Sequence, residues 1–303
     1  MRWDDYRQSD NVFDRRGEGG GRMLGGGGGG GMMVGFMLLR FIFSRFGIGG
    51  VVIAVGGFFF LSMLGINPLA GGGQMATGGG SGAASANRAY DAEIGAVLAS
   101  TEDVWNREFA EVGIGDYAEP RLELFAGGVT TQGCGFASSA VGPFYCPADR
   151  KIYIDTQFFD QLSRQLGAPG DFARAYVIAH EVGHHIQTLT GISDQVRRAQ
   201  ASARSKAEQN DYSVRLELMA DCFAGVWARN ATDFQGFYLE EGDLQEGLRA
   251  AAMIGDDTLQ RNAGRRVSPD SFTHGTSEQR QRWLATGYET GDMSQCDTLD
   301  GPI

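Results

Sequence analysis

The chemistry most directly readable in this chain lies in five residues, His180-Glu181-Val182-Gly183-His184. On an α-helix, residues four apart share a face, so His180 and His184 can direct two imidazoles at a single ion. Glu181 lies one position round, where its carboxylate can reach a water on that ion. This is the H-E-x-x-H spacing of zinc-dependent hydrolases. In such sites zinc lowers the pKa of its water and polarises the scissile carbonyl, and the glutamate takes the proton and passes it to the leaving amine. The whole chain holds only four His, so a pair at this spacing around a Glu carries weight.

Two His leave zinc one protein ligand short of the usual catalytic set of three plus water. Glu217, within Leu216-Glu217-Leu218-Met219-Ala220-Asp221, is the best candidate for the third. It sits midway along an apolar helix, where a carboxylate is costly to bury unless a cation or hydrogen bonds compensate it. Asp221, one turn on, lies on the same face and can accept the outer ring N–H of a ligating His, fixing its tautomer. The developing oxyanion needs a further donor. His274 comes just before a helix start at Thr276-Ser277-Glu278, and Arg280 lies in the first turns of that helix; both are candidates. His185 is rotated off the ligand face and reads as helix surface or outer support of the site.

Several elements must position these residues. Asp171 to Gly191 reads as the helix carrying the His pair: Asp171 is an N-cap candidate after Pro169-Gly170, and Gly191 is placed to stop it. Ala89 to Val112 is expected to be a helix with Trp105 in its core face. Arg121 to Phe125 and Lys151 to Asp155 alternate polar and apolar residues and read as strands. The second could be an edge strand that pairs with an extended peptide, or an interior strand; the sequence leaves both open. Further helices are expected at Phe158 to Leu166, Ser193 to Gln209, Asp211 to Asn230, Asp243 to Ile254 and Thr276 to Ala285. There is no repeat, so residues 89–303 are expected to form one α+β domain, helix-dominated with a small sheet.

The residues before it differ in kind. Of 47 Gly, most fall before residue 82, including an unbroken run from Gly25 to Gly31. Phe46 to Ile66 is 21 residues without a charge, the length of a helix that crosses a bilayer. The run begins far from the N-terminus and is long for a cleaved leader, which disfavours that alternative. Residues 1–45 hold seven Arg and five acidic residues, net +2, leaving −13 of the total −11 for the remainder. The positive-inside rule therefore predicts a single-pass anchor, with a cytoplasmic polar segment at 1–45, a transmembrane helix at 46–66, a Gly/Ser/Ala-rich linker at 67–88 and a domain outside the cytoplasm. An acidic domain argues against nucleic acid as a partner.

Four Cys, at 134, 146, 222 and 296, all follow the apolar run. None forms a C-x-x-C pair, and an oxidising compartment predicts that they pair with one another. Of three possible connectivities, Cys134–Cys146 is favoured because it closes a short Gly/Pro-containing loop. Cys222–Cys296 then remains.

With these residues in view, the chain resembles a known family. HEVGHH followed by ELMADC looks like the gluzincin arrangement, an H-E-x-x-H helix with a Glu ligand on a later helix and an Asp one turn beyond. More narrowly, Met1-Arg2-Trp3, Ser9-Asp10-Asn11-Val12, Leu216 to Cys222 and Phe272-Thr273-His274-Gly275-Thr276-Ser277 are similar to the bacterial neutral zinc metallopeptidase family. The resemblance spans essentially the full chain. It implies a zincin-like domain and a membrane-anchored endopeptidase that binds one catalytic Zn²⁺ and cleaves peptide or protein substrates. The alternative is a metal-binding but non-hydrolytic domain that holds a partner at the cell envelope, which an intact Glu181 disfavours.

Overall fold

Short alternating segments build the sheet that frames the molecule. The computed structural model describes residues 1–17, 88–164 and 168–303. Its main sheet has the order β1-β2-β6-β5, formed by Val12–Asp14 (β1), Arg121–Phe125 (β2), Lys151–Asp155 (β6) and Phe144–Cys146 (β5). β1 and β6 run parallel to β2, and β5 runs antiparallel to β6. Lys151 to Asp155 is thus an interior strand, and the edge beside it belongs to β5. A hairpin of Gly128–Thr130 (β3) and Phe136–Ser138 (β4) lies between β2 and β5 in the chain.

Helices make up the rest, so the described body is α+β and helix-dominated. Asp91–Val112 (α1) buries Ile94, Val97, Leu98, Val104, Trp105 and Phe109, the stripe that a 3.6-residue repeat puts on one side. Gln157–Arg164 (α2) follows the sheet. Asp171–Leu189 (α3) is apolar nearly all round and accordingly buried through most of its length. Ile192–Ser202 (α4), Lys206–Ala231 (α5), Asp243–Met253 (α6), Asp256–Asn262 (α7) and Ser277–Thr290 (α8) complete the chain. The polar stretch expected as one helix to Gln209 breaks after Ser202. Ser205 then caps a new start, accepting the Glu208 N–H at 3.1 Å, and α5 begins at Lys206.

Small residues set how closely these helices meet. A Cβ on Gly183 would stand 2.9 Å from Ala220 Cα, so the bare backbone of α3 lets α5 approach between the two His of the motif. Gly225 of α5 and Gly287 of α8 similarly lie against each other's helix backbone. These seams carry the register that brings three helices to one site. Both expected disulfides are present, Cys134–Cys146 tying the hairpin to β5 and Cys222–Cys296 pinning the C-terminal tail to α5.

The expectation of a separate polar segment at 1–45 fails over its first 17 residues. Residues 1–17 belong to the same body as the domain, because their polar groups are partnered by it. β1 extends the sheet beside β2. The Met1 ammonium lies 3.1 Å from both Asp171 and Asp243, and Tyr6 donates to Asp103 at 2.6 Å. The Asp171 carboxylate is therefore engaged by the N-terminus. It does not cap α3, whose N-cap is Gly170. The expected span at 46–66, and the linker apart from Arg88, lie outside the described residues. Among the described residues, no helix is long and apolar enough to cross a membrane.

Candidate active site

α3 and α5 meet so that His180, His184 and Glu217 come together. The two imidazole rings lie edge to face, centroids 4.8 Å apart. Nε2 of His180 is 3.1 Å from one Glu217 carboxylate oxygen, and Nε2 of His184 is 3.6 Å from the other. One ligand atom from each of the three residues lies within 4.8 Å of the others.

The outer nitrogens determine what faces inward. Asp221 accepts the Nδ1–H of His180 at 2.8 Å, as expected for a carboxylate one turn beyond Glu217. His184 donates its Nδ1–H to Oε1 of Gln187 at 2.9 Å. That amide is oriented because its own NH₂ donates to the Leu216 carbonyl at 2.6 Å. Both rings therefore turn Nδ1–H outward and present Nε2, the nitrogen left for an ion or a proton, to the Glu217 carboxylate. Three lone-pair donors aimed at one point repel one another unless a cation sits among them. The field agrees: burial opposes a charged His184, yet the Glu217 and Glu181 carboxylates outweigh it and raise its pKa to about 9. Two imidazoles and one carboxylate form a donor set that zinc takes readily.

Glu181 is buried beside this cluster. Burial lifts its carboxyl above the usual range, while the two imidazoles and the backbone N–H of Tyr145 pull it part of the way back. Tyr145 lies in β5, so the edge strand borders the general-base candidate.

Arg280, the second oxyanion-donor candidate, is placed against Asp221. It is 2% exposed, and its guanidinium is engaged by Asp221, Nε to Oδ2 at 2.8 Å and Nη2 to Oδ1 at 2.9 Å. Nη2 also donates to the Tyr176 hydroxyl, which itself donates to Asp221 at 2.5 Å. Arg280 acts through Asp221 on His180. α8 directs residues 280, 284 and 287 onto α5.

His274 is placed differently. Its half-exposed ring lies close enough to Glu217 for the two to couple electrostatically. Its Nδ1 is 3.3 Å from Asp256 Oδ1 and 3.1 Å from the Thr273 hydroxyl. The other oxygen of Asp256 accepts the backbone N–H of Thr273, His274 and Gly275 at 2.7, 2.6 and 3.1 Å. One carboxylate thus fixes the loop and the ring together. Burial opposes a charged His274, but Asp256 and Glu217 raise its pKa.

His185 is not helix surface. It is buried, with Nε2–H donating to the Ala118 carbonyl at 2.5 Å and Nδ1 accepting from the Tyr145 hydroxyl at 3.0 Å. Burial, aided by the Arg150 charge, lowers its pKa to about 4 and keeps it neutral. It ties α3 to the edge strand.

Four contributors escaped the sequence reading. Tyr176 precedes His180 by one helical turn and Gln187 follows His184 by three residues, so both lie on the site's face and were findable by spacing. Asp256 and the Tyr145 N–H carry no such signal, because only the fold brings them near.

Comparison with known proteins supplies the family. The model of the family described as "Putative neutral zinc metallopeptidase" matches residues 1–299. The chain is 46% identical over 308 residues to the uncharacterized protein YpfJ of Escherichia coli (strain K12), covering 100% of both. It is 44% identical over 225 residues to the uncharacterized protein Rv2575 of Mycobacterium tuberculosis (strain H37Rv), covering 71% of this chain and 73% of that one. No solved structure matches. The chain belongs to this metallopeptidase family.

Proposed function

We propose that this member of the family is a zinc-dependent endopeptidase with a zincin-like site, its ion held by His180, His184 and Glu217. The observation that carries this reading is the paired fixing of the rings: Asp221 and Gln187 each take an Nδ1–H, so both Nε2 atoms face the Glu217 carboxylate. When bound, zinc supplies Lewis acidity toward the scissile carbonyl and a water acidic enough to lose a proton near neutral pH.

The chain's own residues do the rest. Glu181, its carboxyl lifted by burial, takes a proton at its carboxylate and returns it to the leaving amine. Asp221, held by Arg280 and Tyr176, keeps His180 in one orientation. His274, braced by Asp256, offers a ring N–H to the charge that develops on the substrate oxygen. Edge strand β5 offers backbone groups to an extended peptide beside Glu181. Peptides and unfolded proteins are the substrate class.

The two disulfides favour an oxidising compartment, and we place the catalytic body outside the cytoplasm at the cell envelope. The test is zinc stoichiometry together with hydrolysis of an unfolded protein by the wild type and Glu181→Gln. One zinc per chain in both proteins, with cleavage only by the wild type, supports the peptidase. One zinc in both with no cleavage by either favours the non-hydrolytic metal-binding domain.

A further inference from the structure

The first 17 residues bear on the membrane topology. Glu102 is 1% exposed, and its carboxylate is met by Ser9 Oγ at 2.5 Å, Asn11 Nδ2 at 2.9 Å and Arg7 Nη1 at 3.0 Å. All three partners come from the N-terminal segment. Glu123 is likewise buried and paired with Arg15 at 2.8 Å and with Lys151. β1 adds main-chain pairing along Val12–Asp14. Arg16 then clamps Asp91, at the start of α1, through two nitrogens at 2.8 and 2.6 Å. Residues 17 and 88 therefore lie close together on one surface of one body.

A single crossing would separate these partners by a hydrocarbon layer of about 30 Å. Ion pairs and a strand ladder cannot span it. The charge argument for a single crossing also changes. Of the seven Arg it counted, Arg2, Arg7, Arg15 and Arg16 pair with Glu240, Asp103, Glu123 and Asp91 in the folded body, while Arg22, Arg40 and Arg45 lie outside the described residues. Those four are held by the same folded body as residues 88–303, on whichever side that body stands.

We infer that residues 1–17 and the catalytic body stand on the same side of the membrane. With the disulfides favouring an oxidising compartment, that side is the outside. The inference rests on pairing within the body and is independent of whether the site hydrolyses peptides.

The experiment reads accessibility in intact cells and needs no activity. Single cysteines are added to the full chain at exposed positions, Asp10→Cys or Asp4→Cys in the N-terminal segment and Glu111→Cys or Asp116→Cys in the catalytic body. The native four cysteines are paired and silent. A membrane-impermeant maleimide should label all four variants before permeabilisation, or none of them until afterwards. The first pattern also fixes the shared side as the outside, and the second as the inside. Labelling of Glu111→Cys and Asp116→Cys with protection of Asp10→Cys and Asp4→Cys would restore the single crossing and overturn the inference. Two positions per segment guard against one variant misfolding.

Discussion

Asp221 and Arg280 form a buried, doubly bonded ion pair whose carboxylate also accepts from His180 and Tyr176. One oxygen of Asp221 serves three donors, so its position fixes the His180 ring. Arg280→Ala should leave a buried carboxylate without its countercharge. The expected loss is about 3–5 kcal/mol of stability, with zinc affinity weakened roughly 10–100-fold through His180. Thermal unfolding of zinc-loaded and zinc-stripped protein measures both. An unchanged melting temperature with slow turnover would instead return Arg280 to the oxyanion.

Metal binding and proton transfer should separate by residue. His180→Ala, His184→Ala and Glu217→Ala should each lose zinc, since each removes one of three donors. Glu181→Gln should keep zinc and turn over roughly 10²–10⁴-fold more slowly. Full zinc stoichiometry in Glu217→Ala would remove that residue from the site.

Helical spacing explains why so much of the site was legible. His180 and His184, and Glu217 and Asp221, are i, i+4 pairs whose shared face follows from helix geometry alone, and the strands at 121–125 and 151–155 fall where alternation puts them. What the sequence hid were relationships across elements. Arg280 lies near His274 in the chain, but the Gly225–Gly287 seam turns it onto Asp221. His185 could be read either as helix surface or as outer support of the site, because its partners, Tyr145 and Ala118, come from distant segments. The N-terminal arginines read as membrane flank because their acidic partners, Glu102, Asp103 and Glu123, lie about a hundred residues away in the chain.

The crossing of α3 and α5 gives a test of packing at the site. Ala at an open helix position is worth about 0.5–1 kcal/mol over Gly. At Gly183 the added Cβ would stand 2.9 Å from Ala220 Cα and 3.0 Å from its carbonyl oxygen, neither of which can rotate away. Gly183→Ala should therefore lose about 1–3 kcal/mol and move Glu217 away from the His pair, weakening zinc. Calorimetry with a zinc titration checks this. A raised melting temperature would show that helix propensity wins and that the crossing is slack.

The last prediction concerns His274. Three protein ligands are already proposed for the ion, and a fourth would close the site to water, so His274 is assigned to the transition state. Asp256 holds its Nδ1 and three backbone N–H groups of the same loop, which fixes the ring near Glu217. A donor used only as charge develops affects kcat and kcat/KM together, by roughly 10²–10³-fold when removed. His274→Ala should keep zinc, melt near wild type and show that joint loss. Asp256→Asn should lose turnover as well, but it should also lower the melting temperature, because the loop depends on the same carboxylate. Zinc loss in His274→Ala would make it a ligand, and unchanged turnover would leave the loop with a structural role alone.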